Sequence, residues 1–348
     1  MAIVTVLGAG AMGSAICKPL SDAGWEVRLW GTWLDDHLLD AIEEGKAHPR
    51  TGAFVPESVK LYRSDALDAA LADAEVVIMS VASVGVEGVA ELALPGIAKA
   101  KALWLTSKGF HRDETGKIRL LPDALRMFAQ KAGVELPPIV AIAGPVKANE
   151  CAEGKPTATI FGSLTDGVAR DYALRACTEV YAVAATTDEV GVEVCAPMKN
   201  VYAIGLGIAD GLEEGTGIPR HNLKAAAFTQ AVAEMSQLGQ ALGADPVTAF
   251  GLPGVGDLEV TALSGRNKVY GLRIGRGEKP SEALAEMERL EQTVEGVSAL
   301  PYALELVAQT DGLQMEQFPL LAAISEILTT DGEVNPEVRV AQAVLPRI

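Results

Sequence analysis

The sequence predicts an α/β domain with a doubly wound, mostly parallel sheet over residues 1–190, followed by an all-α domain over residues 191–348. Three observations carry this. A chain of 348 residues exceeds what one hydrophobic core usually serves. The first half alternates short apolar runs with amphipathic segments, the pattern of βαβ units. From about Gly191 the strand-like runs stop and long helical periodicities replace them.

In chain order the first strand is IVTVL, an apolar run that ends in glycines and leads into a helical pattern. WEVRLW, AEVVIMSVA, ALWLTS, PIVAIAG, TATIF and VYAVAATTD are the further strand candidates. DDHLLDAIEEG, SDALDAALADA and the segment Leu121 to Ala132 read as helices between them. In the second half, helices are expected over Val192 to Leu212, Leu223 to Leu242, Ser281 to Gln292, Ala299 to Ala308 and Pro319 to Leu328. The acidic GLEEGTG reads as a loop between the first two. No internal repeat or low-complexity tract interrupts this layout.

Composition narrows the function classes. Hydrophobic residues make up 49% and charged residues 22%, ample for a buried core. A formal charge of −17 repels nucleic acid and anionic membrane, so an anionic ligand needs a locally positive pocket. Cys17, Cys151, Cys177 and Cys195 form no CxxC pair and no zinc spacing with histidine, and read as reduced packing residues of a cytoplasmic protein. The apolar N-terminus lacks a basic leader, and Lys199 interrupts the most apolar later run, so no membrane insertion is expected.

Gly8, Gly10 and Gly13 form G-x-G-x-x-G directly after the first strand. The first permits a tight turn, the second a close backbone approach to a pyrophosphate, and the third the packing of helix on strand. A helix N-terminus there offers unpaired N–H groups and its dipole to phosphate. FAD and S-adenosylmethionine sites share such turns. With Ala11 and Met12 between them, these glycines are the cofactor-binding candidates of a Rossmann-like domain. The second strand ends VRLWGTW. Gly31 and Thr32 stand where a ribose-binding carboxylate is usual, Asp35 and Asp36 come late, and no arginine is placed to grip a 2′-phosphate. The reading is NAD(P)(H), with NADP slightly favoured.

Lys108, in TSKG, follows a strand expected in the sheet centre, where ligands of such sheets bind. Lys199 stands in VCAPMKNVYAIGLG with apolar neighbours on all sides. A lysine there costs desolvation unless paired, and burial suits it to acid/base work near neutrality. Asp257, in GVGDLEVTALSGRNK, is an aspartate able to hold it, with Thr261 one helical turn on and the Arg266–Asn267 pair behind. Arginine grips phosphate bidentately.

These residues sit in motifs that run in order along the chain: GAGAMG (8–13), SKG (107–109), GPVKANE (144–150), MKNVYAIGLG (198–207), NLKAAAFTQAVAEM (222–235), PGVGDL (253–258), GRN (265–267) and VEG (294–296). Over nearly its full length the chain resembles the NAD(P)-dependent sn-glycerol-3-phosphate dehydrogenase family. The stretch WGTWLDDHLLDAIEEGKAHPRTG resembles an archaeal-type branch of it. The resemblance implies hydride transfer between sn-glycerol 3-phosphate and dihydroxyacetone phosphate, with Lys199 as acid/base in a cleft between the domains. It implies that Lys108 and Asp257 belong to the same network. Gly144, Asn200 and Thr261 would lie near a small phosphorylated substrate, Arg266 and Asn267 would hold its phosphate, and Lys108, Ala148, Arg266 and Glu295 would reach the cofactor. It further implies a homodimer formed through the helical domain. Val146, Lys147, Gln230 and Gly265 depart from the family's usual residues and bear on which phosphate ester is used. The alternatives are a dehydrogenase of another polyol or ketose phosphate or of a β-hydroxy acid, and a non-catalytic dinucleotide sensor.

Overall fold

The computed structural model describes residues 1–344. The chain forms two compact units, Met1–His111 with Leu120–Glu193, and Arg112–Arg119 with the chain from Val194 onward.

The strands are β1 (Ile3–Leu7), β2 (Glu26–Trp30), β3 (Lys60–Tyr62), β4 (Val76–Met79), β5 (Ala102–Leu105), β6 (Phe110–Arg112), β7 (Ile118–Leu120), β8 (Ile139–Ala143), β9 (Thr157–Gly162) and β10 (Tyr181–Thr186). Eight of them make one sheet in the order β10-β9-β8-β5-β4-β1-β2-β3. Every neighbouring pair is parallel except β8 with β9. The helices of this unit are α1 (Ala11–Asp22), α2 (Asp36–Glu43), α3 (Leu67–Leu71), α4 (Val86–Ile97), α5 (Leu121–Ala132), α6 (Ala148–Ala152) and α7 (Val168–Ala176).

Burial on both faces explains the unbroken apolar strands. On one face Trp104 of β5 packs edge-on against Phe161 and Trp25, with ring centroids 4.9 and 5.9 Å apart. On the other face Val77, Met79, Leu103 and Leu105 meet Leu94, Ile97, Leu121 and Leu125 from α4 and α5. The strands read from sequence are present. The short, partly exposed strands β3, β6 and β7 and the apolar helix α4 are additional to them.

In the second unit, α8 (Glu189–Thr216), which begins in the first, is followed by α9 (His221–Ala241), α10 (Asp257–Ser264), α11 (Arg266–Gly275), α12 (Pro280–Arg289), α13 (Glu295–Gln309), α14 (Pro319–Thr329) and α15 (Pro336–Val344). GLEEGTG is not a loop: α8 runs through it to Thr216. Gly211 and Gly215 mark a helix contact rather than a turn, and only Gly217, with φ +70°, lies beyond the helix end. A Cβ on Gly211 would lie 2.8 Å from the Cα of Gly275 and overlap the carbonyl oxygen of Leu272 on α11. Gly271 and Gly275 of α11 meet the α8 backbone at Ile204 and Ile208 in the same way. Glu234 of α9 ties further helices in. Its carboxylate accepts from the N–H groups of Leu320 and Leu321 at the start of α14 (2.7 and 3.0 Å), from Tyr202 of α8 (2.9 Å) and from Gln230 (2.9 Å). The segment Arg112–Arg119 joins this unit through Arg112, paired with Glu305, and through Gln309, which clasps Ile118 N–H and C=O at 2.9 and 2.7 Å.

Overpacking a backbone-to-backbone helix contact forces the helices apart. Gly211→Leu is therefore expected to lower unfolding stability by about 3 kcal/mol. Gly88→Ala, in α4 with open space around it, is expected to raise stability by roughly 0.5–1 kcal/mol. Urea unfolding of both variants checks the pair, and equal effects would remove the contact as the cause.

Candidate functional site

The glycine turn is shaped by its neighbours. Gly8 has φ +110°, and a Cβ there would sit 2.9 Å from the carbonyl oxygen of Ser80, while a Cβ on Gly13 would overlap the carbonyl of Gly8. Gly10 caps α1 in extended conformation. The helix start has no side-chain cap and no acidic residue in its first turn. No side-chain cap or first-turn carboxylate competes at that helix start, so Gly8, Gly10, Ala11, Met12 and Gly13 fit a dinucleotide pyrophosphate.

Asp35 does not serve as a free ribose ligand. It is buried, and its Oδ2 accepts from Ala9 N–H (3.2 Å), Thr32 N–H (3.0 Å) and the Thr32 hydroxyl (2.9 Å). Thr32 is thereby turned inward, while the loop that follows α2 brings an arginine instead. His48 places its Nε2 2.9 Å from the Ala9 carbonyl and accepts the N–H of Arg50 on Nδ1 (3.2 Å). One neutral tautomer satisfies both bonds, and burial pushes the imidazole below its usual range. The exposed Arg50 guanidinium then stands 3.7 Å from where a Gly10 Cβ would be. An arginine thus stands beside the glycine turn, which the letters around the second strand did not announce. Arg50 lies far along the chain from the second strand, and the His48 bond to Ala9 ties its loop back to the glycine turn.

Lys108 follows β5 and is half-buried. Gly144 follows β8 with φ +141°, and a Cβ on it would come within 3.0 Å of the Thr159 Cα. Because β1, β4, β5 and β8 are parallel, the glycine turn, Lys108 and Gly144 lie along one edge of the sheet. Val146 and Lys147 come next, and Ala148 opens α6.

The second unit gathers the other candidates around α8. The Lys199 ammonium is buried, 2.9 Å from Asp257 Oδ1, and donates to the Thr261 hydroxyl at 2.6 Å. That hydroxyl in turn donates to the Asp257 carbonyl at 2.6 Å. A π-helical turn, Leu252–Gly256, delivers Asp257 as the first residue of α10. Gly254 within it lies against the Ala249 backbone, where any Cβ would overlap the carbonyl. One residue along α8, Asn200 donates to Glu295 Oε2 at 2.9 Å and accepts from Asn267 at 3.0 Å. Asn267 Oδ1 accepts the Gly296 N–H at 2.8 Å, so both ends of its amide are occupied. The Arg266 guanidinium is half-exposed, 3.2 Å from Glu295 Oε1. Gly265, at the turn into α11, carries the N–H that closes α10 onto Thr261 (2.9 Å).

A turn moulded to a pyrophosphate and a charged lysine maintained inside an apolar helix place the chain among the dinucleotide-dependent dehydrogenases. Comparison with known proteins narrows this. Family models describing the NAD-dependent glycerol-3-phosphate dehydrogenase N-terminus and C-terminus match residues 3–169 and 188–339. An NADP(+)-dependent glycerol-3-phosphate dehydrogenase of Archaeoglobus fulgidus is 38% identical over 82% of this chain and 84% of its own length. A glycerol-3-phosphate dehydrogenase [NAD(P)+] of Symbiobacterium thermophilum is 34% identical over 93% of this chain and 89% of its own. The crystal structure of a glycerol-3-phosphate dehydrogenase from Coxiella burnetii superposes with a TM-score of 0.82 at 30% identity, covering 98% of both chains. The chain belongs to the NAD-dependent glycerol-3-phosphate dehydrogenase family.

Removing one partner of a buried ion pair leaves an uncompensated charge, a loss of about 3–5 kcal/mol. Asp257→Ala is expected to destabilise the chain by that amount. The double variant Lys199→Met/Asp257→Leu is expected to regain most of the stability and none of the turnover. Chemical unfolding with parallel assays checks both, and a fully stable Asp257→Ala would show the pair to be structurally dispensable.

Proposed function

We propose that this protein interconverts sn-glycerol 3-phosphate and dihydroxyacetone phosphate, with Lys199 as the acid/base. The observation that carries the reading is the Lys199 ammonium held by Asp257 and Thr261 in a stretch of α8, Val194 to Leu206, where it is the one charged side chain. The nicotinamide, when bound, supplies the hydride for carbonyl reduction or accepts it in the reverse direction. Lys199 gives a proton to the carbonyl oxygen as negative charge grows there, and takes it back from the alcohol on oxidation. Asp257 keeps the ammonium charged and fixed in direction, and Thr261 holds it from a second side. Such a group requires little reorganisation as the reaction proceeds.

Arg266 is assigned to the substrate phosphate, which competes with Glu295 for the guanidinium, and Asn267 holds the start of α11 in place beside it. Lys108, Gly144 and Asn200 complete the substrate contacts. The glycine turn, Lys108, Ala148, Arg266 and Glu295 line the cofactor, and Thr32, its hydroxyl held by Asp35, shapes the end of β2 beside it. Arg50 is assigned to the 2′-phosphate, which favours NADPH over NADH. Among the described residues no helix is long and apolar enough to cross a membrane. The strongly acidic surface supports a chain that avoids nucleic acid. A homodimer through the helical unit, a cytoplasmic location and membership of the archaeal-type branch complete the proposal, the last supported by the 38% identity to the Archaeoglobus enzyme.

Oxidation of NADPH and NADH with a panel of ketose phosphates tests the substrate directly, and a better ketose phosphate than dihydroxyacetone phosphate would point to Val146 and Lys147. Lys199→Ala is expected to lower kcat by about a hundredfold or more while NADPH affinity changes little. Retention of a tenth of the wild-type rate would put the acid/base elsewhere. Arg50→Ala is expected to raise the Kd for NADPH about tenfold and leave NADH unchanged, as read by fluorescence titration. Equal losses for both cofactors would remove Arg50 from the 2′-phosphate.

A further inference from the structure

Helix α13 is held by polar groups at both ends. At its first residue, Glu295 accepts from Asn200 at 2.9 Å and pairs with Arg266 at 3.2 Å. A Cβ on the next residue, Gly296, would overlap the Asn200 carbonyl, so this end is fixed against α8. At its last residue, the Gln309 amide clasps both main-chain groups of Ile118, accepting the N–H at 2.9 Å and donating to the C=O at 2.7 Å. The helix between them has 15 residues and is about 22 Å long.

Ile118 belongs to the ribbon of β6 and β7, which is stiff in itself. The buried Asp113 accepts from the N–H groups of Thr115 (2.9 Å) and Lys117 (3.0 Å) and from the Arg119 guanidinium (2.8 Å). Arg112 ties the ribbon to α13 a second time, 2.7 Å from Glu305 and 5.4 Å from the centre of the Tyr302 ring. The chain just before the ribbon is pinned within the first unit. Ser107 donates its hydroxyl to the Val81 carbonyl at 2.6 Å, a Cβ on Gly109 would overlap the Ser83 side chain, and His111 packs edge-on against Phe128 with ring centroids 4.9 Å apart. Lys108 stands inside this pinned stretch. Between His111 of the first unit and Arg112, held by α13, there is one peptide link, a step of about 3.8 Å from Cα to Cα. The return is as short, since α5 begins at Leu121, two residues after Arg119.

We propose that Gln309 is a positioning residue for Lys108, acting through the ribbon. Its clasp keeps the tie between the lysine's segment and α13 taut, so one helix governs the place of Lys108 at its last residue and of Glu295 and Arg266 at its first. The role rests on the assignment of Lys108 to the substrate. Gln309 itself takes no part in the chemistry. With the clasp undone, the ribbon is free to lift from α13, and an arriving substrate must restore the arrangement as it binds. That ordering weakens binding, while the bound complex reacts as before. The expected signature is a raised KM with kcat nearly unchanged.

A double-mutant cycle on KM for dihydroxyacetone phosphate tests this. Gln309→Leu is expected to raise KM about tenfold with kcat within about threefold. Lys108→Met raises KM by itself, and Gln309→Leu is expected to add nothing further in that background. A glutamine that only held the fold together would weaken both backgrounds equally, and that result would overturn the proposal. A second variant keeps the clasp and adds slack instead: two glycines inserted between His111 and Arg112, and two between Arg119 and Leu120. It is expected to raise KM as Gln309→Leu does, with little change in the urea midpoint. This variant decides the matter even if Gln309→Leu folds poorly, and an unchanged KM would again overturn the proposal. Lys108 is assigned to the cofactor as well, so the same cycle is expected in the Kd for NADPH, read by fluorescence titration. Coupled losses in that Kd, in a protein that fails to turn over dihydroxyacetone phosphate, would uphold the positioning of Lys108 and count against the proposed substrate alone.

Discussion

The helical unit depends on α8 and α11 touching backbone to backbone. Side chains at Gly207, Gly211, Gly271 or Gly275 would each overlap a main-chain atom of the opposite helix. Such a contact leaves no room for sliding, because one step in register would bring Cβ atoms into the seam. Lys199 and Asn200 ride on α8 near one end of the seam and Arg266 and Asn267 open α11 at the same end. Gly296 closes the group, since a Cβ there would overlap the carbonyl of Asn200. The polar cluster is therefore positioned by glycines that carry no chemistry of their own.

Around this frame the positive groups meet carboxylates: Lys199 meets Asp257 and Arg266 meets Glu295. In a chain of net charge −17 this is what lets cations be held partly out of water without a full desolvation penalty. The pairs differ in depth. Lys199 and Asp257 are almost wholly buried, so their mutual attraction is strong and their geometry fixed. Arg266 and Glu295 are half in solvent, where an ion pair contributes little and yields readily to a better-matched anion.

Much of this was legible in the sequence, and the exceptions have physical reasons. The sheet could be read because strands buried on both faces are apolar throughout, as in VVIM of β4 and IVAIA of β8. KLY, FHR and IRL could not, since a three-residue, partly exposed strand has no period to display. GLEEGTG was misread because glycine punctuates chains that are solvated, whereas Gly211 and Gly215 are pressed against another helix. Lys199 stood out against apolar neighbours, Asp257 was read in a glycine-rich turn as an aspartate able to hold it, and Thr261 came one helical turn on. Arg50 was invisible because its position depends on a histidine tether. Glu189 lay ahead of the helix expected from Val192 and Glu193 inside it, and nothing in the letters says that either carboxyl is buried.

The segment Arg112–Arg119 has a consequence for how such a protein can be divided or recombined. The chain crosses from one unit to the other three times, after His111, after Arg119 and after Glu193. Neither unit is a contiguous stretch of polypeptide. A fragment ending near residue 190 would carry the ribbon tip away from Gln309 and Glu305, and the complementary fragment would lack the main-chain partner that Gln309 clasps. Exchange of halves between relatives thus calls for two junctions in the ribbon as well as one in α8. In descent, the ribbon and the helical unit are constrained to change together.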